Sequence, residues 1–135
     1  MKNSTIYTVL LTLIITIGLF SCGSGNSPSS TVLKSFDLMK SKDYEKIAAM
    51  YVNDNGEKLS EEEAKKIEGL IGMGAKEHEK EGGIDNVTID EETISEDGKE
   101  ATVDFTIHYK NGETDKDDAD LINVDGKWYM VLNMN

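Results

Sequence analysis

Apolar residues recur along the chain with two different periods, and the change from one to the other falls at Gly82-Gly83. Before that point the spacing is helical. From Thr31 to Lys40, Val32, Phe36 and Met39 fall at i, i+4 and i+7 and predict a helix with one apolar face. Lys42-Asp43 interrupts it, and Asp43 suits the cap of a short second helix that carries Tyr44, Ile47, Ala48 and Tyr51 on one side. Asn53-Asp54-Asn55-Gly56 reads as a turn. Ser60-Glu61-Glu62-Glu63 has the Ser-x-x-Glu form of a capping box and predicts a third helix. Its expected inward side is Ala64, Ile67, Leu70, Ile71 and Ala75, continuing toward His78, while Gly69, Gly72 and Gly74 lower the helix propensity of its second half.

After Gly83 the pattern alternates, as strands require. A first strand is expected from Val87 and Ile89 to about Ser95, with Glu96-Asp97-Gly98 as the turn. In the second, Ala101, Val103, Phe105, Ile107 and Tyr109 alternate with Thr102, Asp104, Thr106, His108 and Lys110, so that one face is buried and the other wet. Asn111-Gly112 is a hairpin signal and leads to a third strand with Ala119, Leu121, Ile122 and Val124. Asp125-Gly126 turns into a fourth, in which Trp128, Met130 and Leu132 should point inward. The expected fold class is α+β, with three N-terminal helices packed on a four-stranded antiparallel meander.

The first twenty residues follow neither period. Ile6 to Phe20 is uncharged and mostly apolar, preceded by Lys2 and followed by small residues, which is the order of an export signal. The run is shorter than the about 20 apolar residues of a spanning helix. Leu19-Phe20-Ser21-Cys22 resembles a bacterial lipobox, with leucine three before the cysteine and a small residue just before it; Phe20 departs from the usual pattern. The resemblance implies a signal peptide over 1–21, a diacylglycerol on the Cys22 sulfur, cleavage before Cys22, and an N-acyl chain such as palmitate. These acyl chains are the only prosthetic groups expected, and together they give stable membrane anchoring. Gly23 rather than aspartate follows, which suits an outer-membrane lipoprotein facing the periplasm. Residues 22–30 are rich in glycine and serine and form the expected tether, and 31–135 form a single domain.

Charge narrows the partners. With 26 acidic and 14 basic residues in 135, the net charge is -12. Nucleic acid and anionic lipid surfaces would be repelled, leaving the acyl anchor as the route to a membrane. The single cysteine is Cys22, so no internal disulfide is expected and packing alone must hold the domain together.

No Gly-rich phosphate loop, zinc-ligand spacing or Cys/His nucleophile pattern occurs, so no catalytic residue is assigned. His108 lies on the polar face of its strand. His78 continues the apolar side of the third helix and could stand at a cavity rim, but the spacing places no carboxylate beside it. Asp115, Asp117, Asp118 and Asp120 form the densest acidic cluster and the alternative of a calcium site; they lack an EF-hand pattern and would converge only if the segment looped out of its strand.

Asp43-Tyr44, Ala101-Thr102-Val103 and Asp125-Gly126-Lys127-Trp128, in this order of elements, resemble small bacterial lipoproteins with a nuclear transport factor 2-like (cystatin-like) domain. The resemblance implies a sheet curved around the helices, with a cavity that such proteins use for catalysis or for binding. Phe36, Tyr51, His78, Phe105, Tyr109 and Trp128 are the expected pocket residues, mainly apolar and suited to a small hydrophobic ligand. The expected function is a non-enzymatic, lipid-anchored binding or interaction module of the cell envelope, with a small apolar ligand or an envelope protein as partner. The alternatives are a cavity enzyme using His78 with a carboxylate and a calcium-binding protein.

Overall fold

The computed structural model describes residues 26–132. Helix α1 (Pro28–Lys40) and the short α2 (Tyr44–Ala48) come first, then strand β1 (Tyr51–Val52) and the long helix α3 (Glu61–Lys80). Strands β2 (Ile84–Ile94), β3 (Glu100–Tyr109), β4 (Thr114–Val124) and β5 (Lys127–Val131) follow as consecutive hairpins. The sheet order is β1-β5-β4-β3-β2. Cys22 and the residues expected to form an export signal lie outside the described residues.

The sheet has five strands, one more than the periodicity predicts. Tyr51, expected on a helix face, instead pairs with Met130, and Val52 pairs with Val131, in a parallel edge. The Met130 amide also donates to the Met50 carbonyl at 2.9 Å. Two residues carry no readable period, and only tertiary pairing makes them a strand. The turn after it closes on Asn53, whose side-chain oxygen accepts from the amides of Asn55 and Glu57 at 3.0 and 2.9 Å.

Helix α1 begins three residues before Thr31. Ser27 is its cap, accepting from the Ser30 amide at 3.1 Å while the Ser30 hydroxyl accepts from the Ser27 amide at 2.8 Å, and Pro28 opens the first turn. Serines that look like linker by composition are capping residues here. The predicted box on α3 is present, with Ser60 and Glu63 satisfying each other's amides.

The core lies between α1 and the inner face of β3, β4 and β5. Val103 is fully enclosed, and Phe36 meets Phe105 edge to face with ring centroids 5.4 Å apart. Ala101, Ile107 and Tyr109 face inward with them, as do Trp128 and Met130. Helix α3 buries Ile67 and Ala75, but Leu70 is 58% exposed, against expectation. A helix covered on one side turns inward the narrow row of Ile67 and Ala75 with half-buried Ile71 and His78, and Leu70 falls outside that row.

Strand β2 changes phase partway. Ile89 pairs with Phe105 and Glu91 with Asp104, so Asp90 is a bulge residue, anchored by the Thr106 hydroxyl at 2.6 Å. Beyond the bulge Glu92 opposes Val103 on the inner face. Its carboxylate accepts from the Ser29 amide at 2.9 Å and from the Ser29 hydroxyl. The first turn of α1 holds no acidic residue, so β2 supplies the negative charge its dipole favours.

Candidate functional site

The α1–α2 corner, the second half of α3 and the start of β2 enclose a cleft of about 420 Å³. Met39, Tyr44, Ala75 and Ile84 give it apolar walls, His78 stands among them, and Lys40, Lys42 and Lys110 supply positive charge. Of the glycines of α3, Gly72 serves this packing, since the Tyr44 ring lies 3.6 Å from where a side chain on it would begin. Gly83, at a φ of 89°, turns the chain from α3 into β2, and its carbonyl accepts from the Lys110 amide at 3.0 Å. The start of β2 is thereby joined to the end of β3.

The three lysines are held differently. Lys40 Nζ donates to the Asp85 carbonyl at 3.0 Å, and Lys42 Nζ pairs with Glu79 at 3.1 Å, both partners also bordering the cleft. Lys110 has no ion pair among the described residues.

His78 has the carboxylate that its spacing could not place. Its Nδ1 lies 2.8 Å from the Tyr109 hydroxyl oxygen, and that hydroxyl is 3.0 Å from Asp115 Oδ2. A carboxylate only accepts, so Tyr109 donates to Asp115 and Nδ1–H of His78 donates to Tyr109; this assignment leaves Nε2 as the bare nitrogen of the neutral ring. Burial lowers the pKa of His78, with partial opposition from Asp115 and Asp117. Burial, then the bond to Asp115, pushes Tyr109 up to about 12. The tyrosine is therefore a fixed neutral link between histidine and carboxylate.

Register explains the contact. Asp115 opposes Ile107 and Asp117 opposes Phe105, so both occupy inner-face positions of β4. Asp118 opposes Asp104 and Asp120 opposes Thr102 on the outer face, where the Thr102 hydroxyl donates to Asp120 at 2.9 Å. The segment stays extended, and among the described residues no three His, Cys, Asp or Glu side chains gather to hold a metal ion. A neighbouring acidic hollow of about 490 Å³ is lined by Tyr109, Asp115, Glu81 and Glu113. Glu81 there has a raised pKa, because it shares a hydrogen bond with Glu113 and feels its charge.

The expected pocket residues do not come together around one cavity. Phe36, Phe105 and Trp128 fill the core, and Tyr109 joins them with its ring while its hydroxyl reaches the acidic hollow. Half-buried Tyr51 packs against the core, where burial and then Asp117 raise its pKa. Of the six, only His78 lines the cleft. Met39, Tyr44 and Ala75, each on an apolar helix side by its spacing, form the remaining walls with Ile84, while the three lysines come from the ends of elements, which apolar periodicity does not single out. His108 sits on the outer face, 2.9 Å from the Thr88 hydroxyl.

The fold has counterparts among solved structures. A Campylobacter jejuni protein provisionally named an NTF2-like transpeptidase is similar with a TM-score of 0.65 and 22% identity, over 79% of this chain and 99% of that one. A SEC-C motif containing protein from Rhodopseudomonas palustris gives a TM-score of 0.53 and 14% identity, over 78% and 76% of the two chains. At these identities the likeness is one of fold, which is an NTF2-like α+β domain. No curated protein matches the chain. The family described as Domain of unknown function (DUF4878) matches over residues 20–131, and this chain belongs to that family.

Proposed function

We propose that the protein is a lipid-anchored binding module of the bacterial cell envelope, held at a membrane through Cys22, with the cleft beside His78 as its ligand site. The cleft itself carries this reading: about 420 Å³ suits a small molecule, its walls are apolar, and three lysines border it in a chain whose net charge is -12. The ligand class that fits is a small amphipathic anion, with an apolar body against Met39, Tyr44 and Ile84 and an acidic group toward Lys110. Export with acylation, as the lipobox resemblance implies, places the module in the envelope and favours the periplasmic face of the outer membrane.

Thermal unfolding of the full chain with decanoate, and with decyltrimethylammonium as the opposite charge, tests the site. Decanoate should raise Tm and the ammonium should not, and Lys110→Glu should remove the difference. Equal shifts from both probes, or none from decanoate, would reject the cleft as an anion site. In bacterial cells producing the chain, Cys22→Ser should abolish acyl labelling and leave the precursor uncut.

The bond chain from His78 through Tyr109 to Asp115 favours a second reading, a cavity enzyme in which Nε2 takes a proton from a substrate in the cleft. Such an enzyme would lose turnover in His78→Gln while still binding the ligand.

A further inference from the structure

The outward face of α3 carries a row that is complementary to itself when reversed. Lys66, Leu70, Met73 and Glu77 stand at i, i+4, i+7 and i+11, one stripe along the helix. All four are exposed, Met73 at 66%. Beside them a side chain added at Gly69 or Gly74 would meet nothing within 4 Å, so a second helix could approach closely there. Two turns, from Gly69 to Ala75, hold no charged residue.

We propose that this face binds a second copy of the chain, with the two α3 helices antiparallel about a twofold axis. An axis between positions 71 and 72 sets Leu70 against Met73 of the other copy and Gly69 against Gly74. The same axis sets Lys66 against Glu77 and Glu63 against Lys80, each pair occurring twice. This is the isologous pattern a twofold interface requires. A parallel pair in register would put Lys66 on Lys66 and Glu77 on Glu77, so charge selects the antiparallel arrangement. Glu62 alone meets a like charge, Glu81, at the outer ends. Within one chain Lys66 pairs with Glu62 at 3.0 Å and Lys80 with Glu77 at 2.6 Å, but these are exposed pairs that can share their charges with a partner at little cost.

The two charge reversals Lys66→Glu and Glu77→Lys provide the test, by sedimentation equilibrium of the full chain in detergent solution. Detergent makes the result independent of the state of Cys22, and it does not depend on the cleft. The natural chain should show a monomer–dimer equilibrium. Each variant alone places like charges together twice and should dimerise about tenfold more weakly. Mixing the two variants restores opposite charges at both contacts, so the mixture should associate to within about twofold of the natural chain, which also shows that both variants are folded. A natural chain that stays monomeric at the highest loading overturns the proposal, and so does a mixture no more dimeric than its components.

Discussion

Burial weakens the hold of His78 on a proton, and this couples one residue to the stability of the whole fold. Its pKa in the fold lies below the ordinary value near 6.5, so below that pH the unfolded chain binds the proton more readily than the native one. The contribution is fully present above pH 6.5 and is lost as pH falls toward the native pKa. Urea unfolding of the natural chain and of His78→Gln, at pH 7.5 and 5.5, should show the natural chain losing more stability over that interval; parallel losses would exclude the coupling. The position of His78 on the inner row of its helix was legible from its spacing to Ile71. Its partners were not, because Tyr109 and Asp115 are brought to it by strand pairing across a hairpin.

Elements whose neighbours share their period were the readable ones. Strand β3 alternates without interruption because it lies between two antiparallel partners with one face on the helices. Strand β1 was hidden by its length; β2 was read to its end, but the facing of its second half was hidden by Asp90, which shifts the phase so that an acidic residue faces inward. Glu92 looks like a surface residue in the sequence and is the countercharge of α1 in the fold. At the other end of the helical layer the charges oppose one another: Glu81 caps the C-terminus of α3 beside Glu113 of the β3–β4 hairpin. The raised pKa of Glu81 means that this contact destabilises the native state at neutral pH and is relieved as pH falls through the native pKa toward 4.5. Glu113→Gln should therefore raise Tm at pH 7 and leave it nearly unchanged at pH 3.5. A gain of the same size at both pH values would place its cause elsewhere than in the charge pair.

At the scale of the molecule, the excess of acid is concentrated rather than diluted. Glu91, Asp104 and Asp118 stand opposite one another across three strands of the outer face. Mutual repulsion over such a face is long-ranged in dilute salt, with a screening length of about 30 Å at 0.01 M and about 10 Å at 0.1 M. Tm should thus climb with sodium chloride from 0.01 to 0.3 M, and Asp104→Asn should flatten that climb. The α+β class and the order of the last four strands were legible because they follow from local period and turn residues. The cleft was not, since it is assembled from four separated segments, and no stretch of sequence has a cleft's composition. One small contact orients all of this. Asn26, ahead of α1, donates to the Gly126 carbonyl at 2.6 Å, fixing the start of the domain beside the β4–β5 turn. The cleft lies at the opposite end of α1, a helix of 13 residues and so about 20 Å long. The chain thus enters the domain beside the β4–β5 turn, and anything joined ahead of Asn26 starts a helix's length away from the cleft.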